Sequence, residues 1–360
     1  MTTLWEAQTL EYLPPGPVAY QPEIGLIGCG GISEPMLAAY RAAGFSVTAL
    51  CDHKLAAAEA RRREFYPEAR VFTDYREMLA QTAVEVVDVT THTAVRPPIV
   101  ADCLRAGRHV LSQKPFVEDL ALGEQLCDLA DECGVRLAAN QNGRWAPHFS
   151  YLRSAVARGL LGQVTSADFA VHWAHDRDVR GTAFADMPDL VLLDFGIHWF
   201  DMVNVVLAEA RPARRVFAAV GHTSGQCIPA PTQALVTIEY DDAQASLTFR
   251  GAAPHEHASY RVTGTAGVLT SSGPALGGNQ VELTTADGSV EIPIEGHWFR
   301  SGFQGSMGEL LRAIEAGERP GNDARTALGG LQLCFAAVSA AHEGAAVEPA
   351  SVAGLVGSAR

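Results

Sequence analysis

From residue 24 onward, apolar positions come in short runs separated by amphipathic stretches. Residues 24–29 form an apolar run that ends in glycines, as a strand buried on both faces of a parallel sheet should. Helical spacing follows over 35–43, with Gly44 behind it as a stop. A second strand is predicted at 47–51, and a helix at 54–65 closed by Pro67. The unit repeats as a strand at 84–89, a helix around 99–105 and a strand at 109–111. A longer helix over 118–133 stops at Gly134, and 136–139 adds one more strand. Alternation of this kind predicts a doubly wound parallel sheet with right-handed crossovers.

The grammar changes near residue 144. A helix at 149–157 and a strand at 164–173 lead through an irregular stretch to a helix over 189–207. Runs rich in β-branched residues follow at 216–220, 235–240, 245–249, 260–263, 281–285 and 290–294, with turn signals such as Asp287-Gly288. Their short spacing predicts hairpins in an open, mostly antiparallel sheet, while 271–279 reads as a Gly/Ser-rich loop. Helices at 305–316 and 324–341 finish the chain. The fold class is α/β with a C-terminal α+β domain. The expected organisation is an irregular N-terminal arm (1–22), a dinucleotide-binding domain (23–143) and a domain for substrate and oligomerisation (144–360).

Composition narrows the partners. With 27 Lys plus Arg against 41 Asp plus Glu, the chain carries a formal net charge of −14, which repels a nucleic-acid backbone. The triplet Arg61-Arg62-Arg63 falls on a predicted helix and reads as a solvated face. No apolar run reaches the ~20 residues that span a bilayer, and the N-terminus has no signal-peptide pattern. The seven cysteines are scattered without a CxxC, so reduced thiols and a cytoplasmic location are expected. Twelve histidines include no HExxH, and only His255 and His257 form a close pair, so no metal site is expected.

Against that background four segments carry chemistry. Gly28-Cys29-Gly30-Gly31-Ile32-Ser33 sits where a strand turns into a helix. Gly28 allows the tight turn, and Gly30 leaves room for a pyrophosphate at the positive end of the helix; the third small position is Ser33 rather than Gly or Ala. Asp52 ends the second strand, 24 residues after Gly28, where a carboxylate can bond the hydroxyls of an adenosine ribose. A carboxylate there repels a 2′-phosphate and favours NAD, although His53 and Lys54 beside it leave NADP open. The structural alternative for Asp52 is a helix N-cap. Lys114, in Gln113-Lys114-Pro115, follows a predicted strand and should lie at the sheet's carboxyl edge, where open α/β sheets bind ligands. Asp194 and His198 are four apart on a predicted helix, so they share a face; a carboxylate beside an imidazole fixes its tautomer and stabilises its protonated form.

These segments together resemble the glucose–fructose oxidoreductase/myo-inositol dehydrogenase (Gfo/Idh/MocA) family. The likeness rests on the glycine turn, AGRHVLSQKPF, NGRWAP, LLDFGIHWFD, GTAGVL and GELLRAIEAGERP. It implies a Rossmann domain followed by a C-terminal domain whose open sheet carries oligomer contacts, making a dimer or tetramer. It also implies hydride exchange between nicotinamide and a secondary alcohol of a sugar, cyclitol or related polyol. Under that resemblance Lys114 contacts substrate and nicotinamide ribose, His198 is the general acid/base and Asp194 its partner, while Thr90, Thr91 and His92 run along the cofactor. Gln113 replaces the usual Glu; its amide can still bond ribose hydroxyls but brings no charge. Pro97-Pro98 is a further departure, without an account in the sequence. Arg144, Trp145, His172, Trp173 and His175 are candidates for the substrate wall. Two competing readings are an NAD-dependent glycosidase acting by transient oxidation and elimination, and a non-catalytic cofactor-binding sensor.

Overall fold

The computed structural model describes residues 4–207, 212–274 and 276–355. Residues 1–3 of the arm and Ala275 in the expected 271–279 loop lie outside them. The chain divides into two compact units, one of residues 14–145 with 299–328, the other of 4–13, 146–298 and the chain from 329. The expected boundary was 143/144; these units divide at 145/146, and the segment 299–328 groups with residues 14–145.

The arm is not wholly irregular. It begins with a one-turn helix, α1 (Leu4–Gln8), and its residues 18–20 donate three backbone N–H groups to the Glu315 carboxylate at 2.7–2.8 Å. The first unit then alternates strand and helix: β1 (Glu23–Ile27), α2 (Ser33–Ala43), β2 (Ser46–Cys51), α3 (Leu55–Phe65), β3 (Arg70–Phe72), α4 (Tyr75–Gln81), β4 (Val86–Val89), α5 (Arg96–Arg105), β5 (His109–Gln113), α6 (Leu120–Glu132) and β6 (Leu137–Asn140). All six strands are parallel, in the order β3-β2-β1-β4-β5-β6, so the order reverses between β1 and β4. Strands β1 and β4 are apolar almost throughout because helices cover both faces. Pro97 and Pro98 occupy the first turn of α5, where the N–H they lack has no partner in a helix anyway. Their presence is thereby explained.

In the second unit α7 (Pro147–Ala157) and β7 (Val164–His172) precede a short α8 (His175–Asp178) and α9 (Ile197–Leu207). Seven strands follow: β8 (Arg215–Gly221), β9 (Gln233–Glu239), β10 (Gln244–Arg250), β11 (His257–Gly264), β12 (Gly267–Gly273), β13 (Gln280–Thr285) and β14 (Gly288–Ile292). The eight-stranded sheet has the order β14-β13-β12-β11-β7-β10-β9-β8, antiparallel except where β7 runs parallel to β10. Helices α10 (Trp298–Ala316) and α11 (Ala324–Glu343) close the chain. Strand β12 takes part of what read as a loop; two neighbours fix its Gly/Ser-rich backbone, and it buries Leu269 and Ser271. The expected single helix over 189–207 is instead a π-helical turn at Val191–Phe195 followed by α9.

Burial alternates along β9 and β10, so one sheet face is core and the other faces outward. The core face carries Phe169, Phe249 and Tyr260, packed with Phe149, Trp199 and Trp298. His148 sits among them, 3% exposed, with its Nδ1 lacking a hydrogen-bond partner. Burial alone lowers its pKa from 6.5 to about 3. A histidine depressed in the folded state contributes stability above its unfolded pKa and loses it as pH falls toward the folded value. Between pH 7.5 and 5 this residue should cost the fold about 2 kcal/mol. Thermal unfolding of His148→Phe at both pH values should show a smaller acid loss of Tm than the wild type.

Candidate active site

The site is built at the carboxyl edge of the six-stranded sheet, at the reversal of strand order. Leaving β1, the chain turns at Gly28 with φ +102°, and a Cβ there would stand 2.9 Å from Thr90 Oγ1 and 3.0 Å from Thr91 N. Only glycine fits that turn. The Gly28 N–H donates to Cys51 O at 2.8 Å, which ties the turn to the end of β2. Cys29 N–H then donates to Asp52 Oδ2 at 2.8 Å, while Asp52 Oδ1 accepts Lys54 N–H at 2.8 Å and lies 3.2 Å from His53 Nδ1. Asp52 is thus not the N-cap of α3; that place belongs to Lys54, without a side-chain cap. The carboxylate braces the glycine turn instead.

Gly30 and Gly31 are exposed, and a Cβ on either would meet nothing within 4 Å. With Ile32 they lead into α2, whose positive dipole end favours an anion, although Ser33 N–H and Glu34 N–H already donate to Gly30 O and Gly31 O at 3.2 Å. An open cradle above two glycines, with a fixed carboxylate at its side, fits the pyrophosphate and ribose of a dinucleotide. Ser33, the non-standard third position, turns its hydroxyl to Gly30 O at 2.6 Å and accepts Arg61 Nε at 3.1 Å. Arg61 therefore departs from the solvated face expected for the arginine triplet: its side chain is 14% exposed and pairs with Glu34 and Glu64.

Two more loops meet this edge. Thr90, just past β4, hydrogen-bonds its hydroxyl to Gly28 O and its N–H to Ile27 O at 2.8 Å. Thr91 is half-buried, and exposed His92 uses Nδ1 to accept Ala94 N–H at 3.4 Å. Gln113, the last residue of β5, is 5% exposed and turned inward: Oε1 accepts Lys114 N–H at 2.7 Å and Nε2 points to Met36 Sδ at 3.5 Å. Its amide thus holds the backbone of the lysine rather than projecting outward. Lys114 is half-buried and precedes a cis bond to Pro115. Arg96, which the sequence reading passed over, bonds the carbonyls of Thr91, Gln113 and Pro115. Its one sequence signal was the Pro-Pro pair behind it.

Asp194, His198 and three of the wall candidates belong to the second unit. Gly196 N–H donates to Val191 O at 3.0 Å, the five-residue bond of the π turn. A Cβ on Gly196 would come within 2.9 Å of Val191 O and 3.1 Å of Phe249 Cζ, so this close approach needs glycine. Asp194 lies in that turn and pairs with His175, Nε2 to Oδ2 3.3 Å, while the His175 ring stacks on Phe195 at 4.9 Å. His175 is therefore the carboxylate's partner and not simply a wall. His198, 9% exposed, opens α9 with its ring edge-on to Trp298 at 5.6 Å. Trp173 donates Nε1–H to Asp178 at 2.8 Å, and His172 faces His257 on the outward side of the sheet.

Arg144 and Trp145 are corrected from the same list. Both belong to the first unit and are 2% exposed; Arg144 Nη1 donates to Gly321 O at 2.6 Å. Trp145 packs so tightly on Gly305 that a Cβ there would lie 2.3 Å from its Cγ. These are packing roles, legible only once α10 and the segment behind it, which carries Gly321, are placed.

Comparison with known proteins agrees with this geometry. A family model described as "Oxidoreductase family, NAD-binding Rossmann fold" matches residues 23–141, and one described as "GFO/IDH/MocA C-terminal domain" matches 149–270. The chain is 27% identical over 211 residues to scyllo-inositol 2-dehydrogenase (NADP(+)) IolW of Bacillus subtilis, 56% of each chain. It is 28% identical over 334 residues to dTDP-3,4-didehydro-2,6-dideoxy-alpha-D-glucose 3-reductase of Streptomyces violaceoruber, covering 89% of this chain and 95% of that one. The solved structure of GenD2 from gentamicin A biosynthesis in complex with NAD superposes with TM-score 0.76 at 25% identity, covering 93% and 99% of the two chains. For the first of the curated relatives it matches, the chain spans about half of their length.

The open space above Gly30 gives a clean test. Gly30→Ala should leave stability within about 0.5 kcal/mol of wild type. Its NAD affinity, followed by calorimetry, should fall by about tenfold or more because the methyl fills the pyrophosphate position. Gly28→Ala should instead lower both stability and binding.

Proposed function

The chain belongs to the Gfo/Idh/MocA oxidoreductase family, and on that premise we propose that it transfers a hydride between a nicotinamide cofactor and a secondary alcohol of a sugar, cyclitol or related polyol. The observation that carries this reading is the Asp52 carboxylate, fixed on Cys29 N–H beside the open Gly30-Gly31 turn. The names of the relatives, an inositol dehydrogenase and a deoxysugar reductase among them, support the substrate class.

Gly28, Gly30, Gly31, Ile32 and Asp52 would hold the dinucleotide, with His53, Thr90, Thr91, His92, Gln113 and Lys114 along its length. When bound, the nicotinamide supplies the hydride acceptor. Asp52 favours NAD, since a 2′-phosphate would meet a carboxylate already locked by two N–H donors. A relative named for NADP keeps that cofactor in the test. In oxidation, His198 takes the proton of the substrate hydroxyl, and the Lys114 ammonium donates to the oxygen as negative charge develops on it. Asp194 stabilises the imidazolium that results, and His175, 3.3 Å from Asp194 Oδ2, steadies the carboxylate. Trp173 and His175 border the substrate.

In this reading residues 23–143 serve the cofactor, and 144–360 serve the substrate and self-association as a dimer or tetramer. The outward sheet face, where Phe217 and Leu235 are 41% and 51% exposed, is the surface for that association. No described helix is long and apolar enough to cross a membrane, and a cytoplasmic location suits a nicotinamide enzyme.

A panel of sugars, inositols and amino sugars followed at 340 nm with NAD and NADP separately tests the assignment. A polyol-dependent signal, larger with NAD, is expected. Release of sugar without net NADH would redirect the reading to glycoside cleavage, and ligand binding without any turnover to a sensor. His198→Ala should lose about 10²–10⁴ in kcat while NAD binding persists, and Lys114→Ala should lose a similar factor in kcat with some NAD affinity as well; near-normal turnover in either would remove that residue from the mechanism.

A further inference from the structure

Arg96 begins α5 and is 2% exposed, a cation taken almost wholly out of water. Its guanidinium meets no carboxylate by hydrogen bond in the contacts described. Nε and Nη2 both donate to Thr91 O, at 3.0 and 2.6 Å, and Nη1 donates to Gln113 O and to Pro115 O. Opposite charge acts on it through space from Asp88 and Glu118. Asp88 is fully buried on β4, receives the Tyr40 hydroxyl at 2.6 Å on Oδ2, and has no partner on Oδ1. Burying a guanidinium is costly, and a chain that needed only packing here would have used an apolar side chain.

The two carbonyls on Nη1 belong to the residues immediately before and after Lys114. The lysine's own N–H is taken by Gln113 Oε1. Its backbone is therefore gripped at three consecutive points, while the other edge of the same guanidinium holds the loop that carries Thr90 and Thr91. A rigid planar fork spans such groups with donors on three nitrogens; an ammonium, whose three donors share one nitrogen, does not reach across the same distance. We infer that Arg96 is a positioning residue for the reaction, fixing the backbone from which Lys114 reaches the reacting oxygen and locking it to the loop after β4. A lysine side chain is long and flexible, so the placement of its ammonium is only as good as that of its backbone.

This inference rests on the role proposed for Lys114, and the test separates the two. Arg96→Lys keeps the charge but loses the fork; Arg96→Ala opens a guanidinium-sized space. For both, kcat and KM with the best polyol of the panel, NAD affinity and thermal unfolding are measured. Arg96→Lys should lose about 10–100-fold in kcat. Its NAD affinity should change by less than about threefold, well under one factor of ten. Added guanidinium should return part of the kcat of Arg96→Ala, as no general loosening of the fold would allow. Unchanged kcat in folded Arg96→Lys overturns the inference, as does an equal loss of kcat and NAD affinity. If Arg96→Ala does not fold, Arg96→Lys alone decides. Should Lys114→Ala turn over normally, the proposed function fails first and takes this inference with it; should Lys114→Ala be dead while Arg96→Lys is normal, only the inference falls.

Discussion

A loop leaving the carboxyl edge of a parallel sheet carries backbone N–H and C=O groups that no neighbouring strand can satisfy, yet a ligand edge must be rigid. Here one buried or half-buried charge of each sign answers that need. The Asp52 carboxylate collects N–H groups from Cys29 and Lys54, and the Arg96 guanidinium collects carbonyls from Thr91, Gln113 and Pro115. Because each ion acts on more than one loop, the ends of β1 and β2 are tied together, as are those of β4 and β5. Thr90 links the two pairs by bonding back to Gly28.

The same economy explains why the edge stays open. Protein donors and acceptors near Gly30 and Gly31 are engaged with one another: Ser33 with Gly30 O, Arg61 with Ser33 and two glutamates, Gln113 with Lys114 and Met36. What remains toward solvent is the positive end of α2, a fixed carboxylate and exposed glycine backbone. Those are the features a dinucleotide uses, and they exist before it binds, so little ordering is charged against its affinity.

How much of this was legible depended on sequence distance. Gly28, Asp52 and the strand–helix alternation are local patterns, and the structure puts the glycine turn after β1 and the carboxylate after β2 because the βαβ unit imposes its own spacing. Lys114 at the end of β5 followed from the same alternation. Arg96 did not, since its meaning lies in carbonyls from three places along the chain, and a carbonyl has no residue identity to read. Trp145 looked like a wall because an aromatic beside a motif is ambiguous until α10, more than 150 residues later, is known to cover it. Strand β12 hid in a Gly/Ser-rich stretch whose extended form comes from β11 and β13 on either side rather than from its own propensity.

The π turn shows the limit most clearly. Helical spacing alone puts Asp194 and His198 on one face, a relation read with 3.6 residues per turn. The chain inserts a wider turn just there, closed by the Gly196-to-Val191 bond, and the regular helix resumes only at Ile197. A widened turn changes the direction of the side chains it contains, and Asp194 meets His175, which arrives from the segment after β7. The glycine is required because Val191 O and Phe249 press on its Cα, and Phe195 in the same turn provides the face on which the His175 ring rests. Three consecutive residues thus do three different jobs: Asp194 offers charge, Phe195 a platform and Gly196 the room. Such irregular turns sacrifice regular helical hydrogen bonding and are found most often where a side chain must be aimed. Asp194, the residue so aimed, thereby meets an imidazole that a helical wheel of its own segment does not contain.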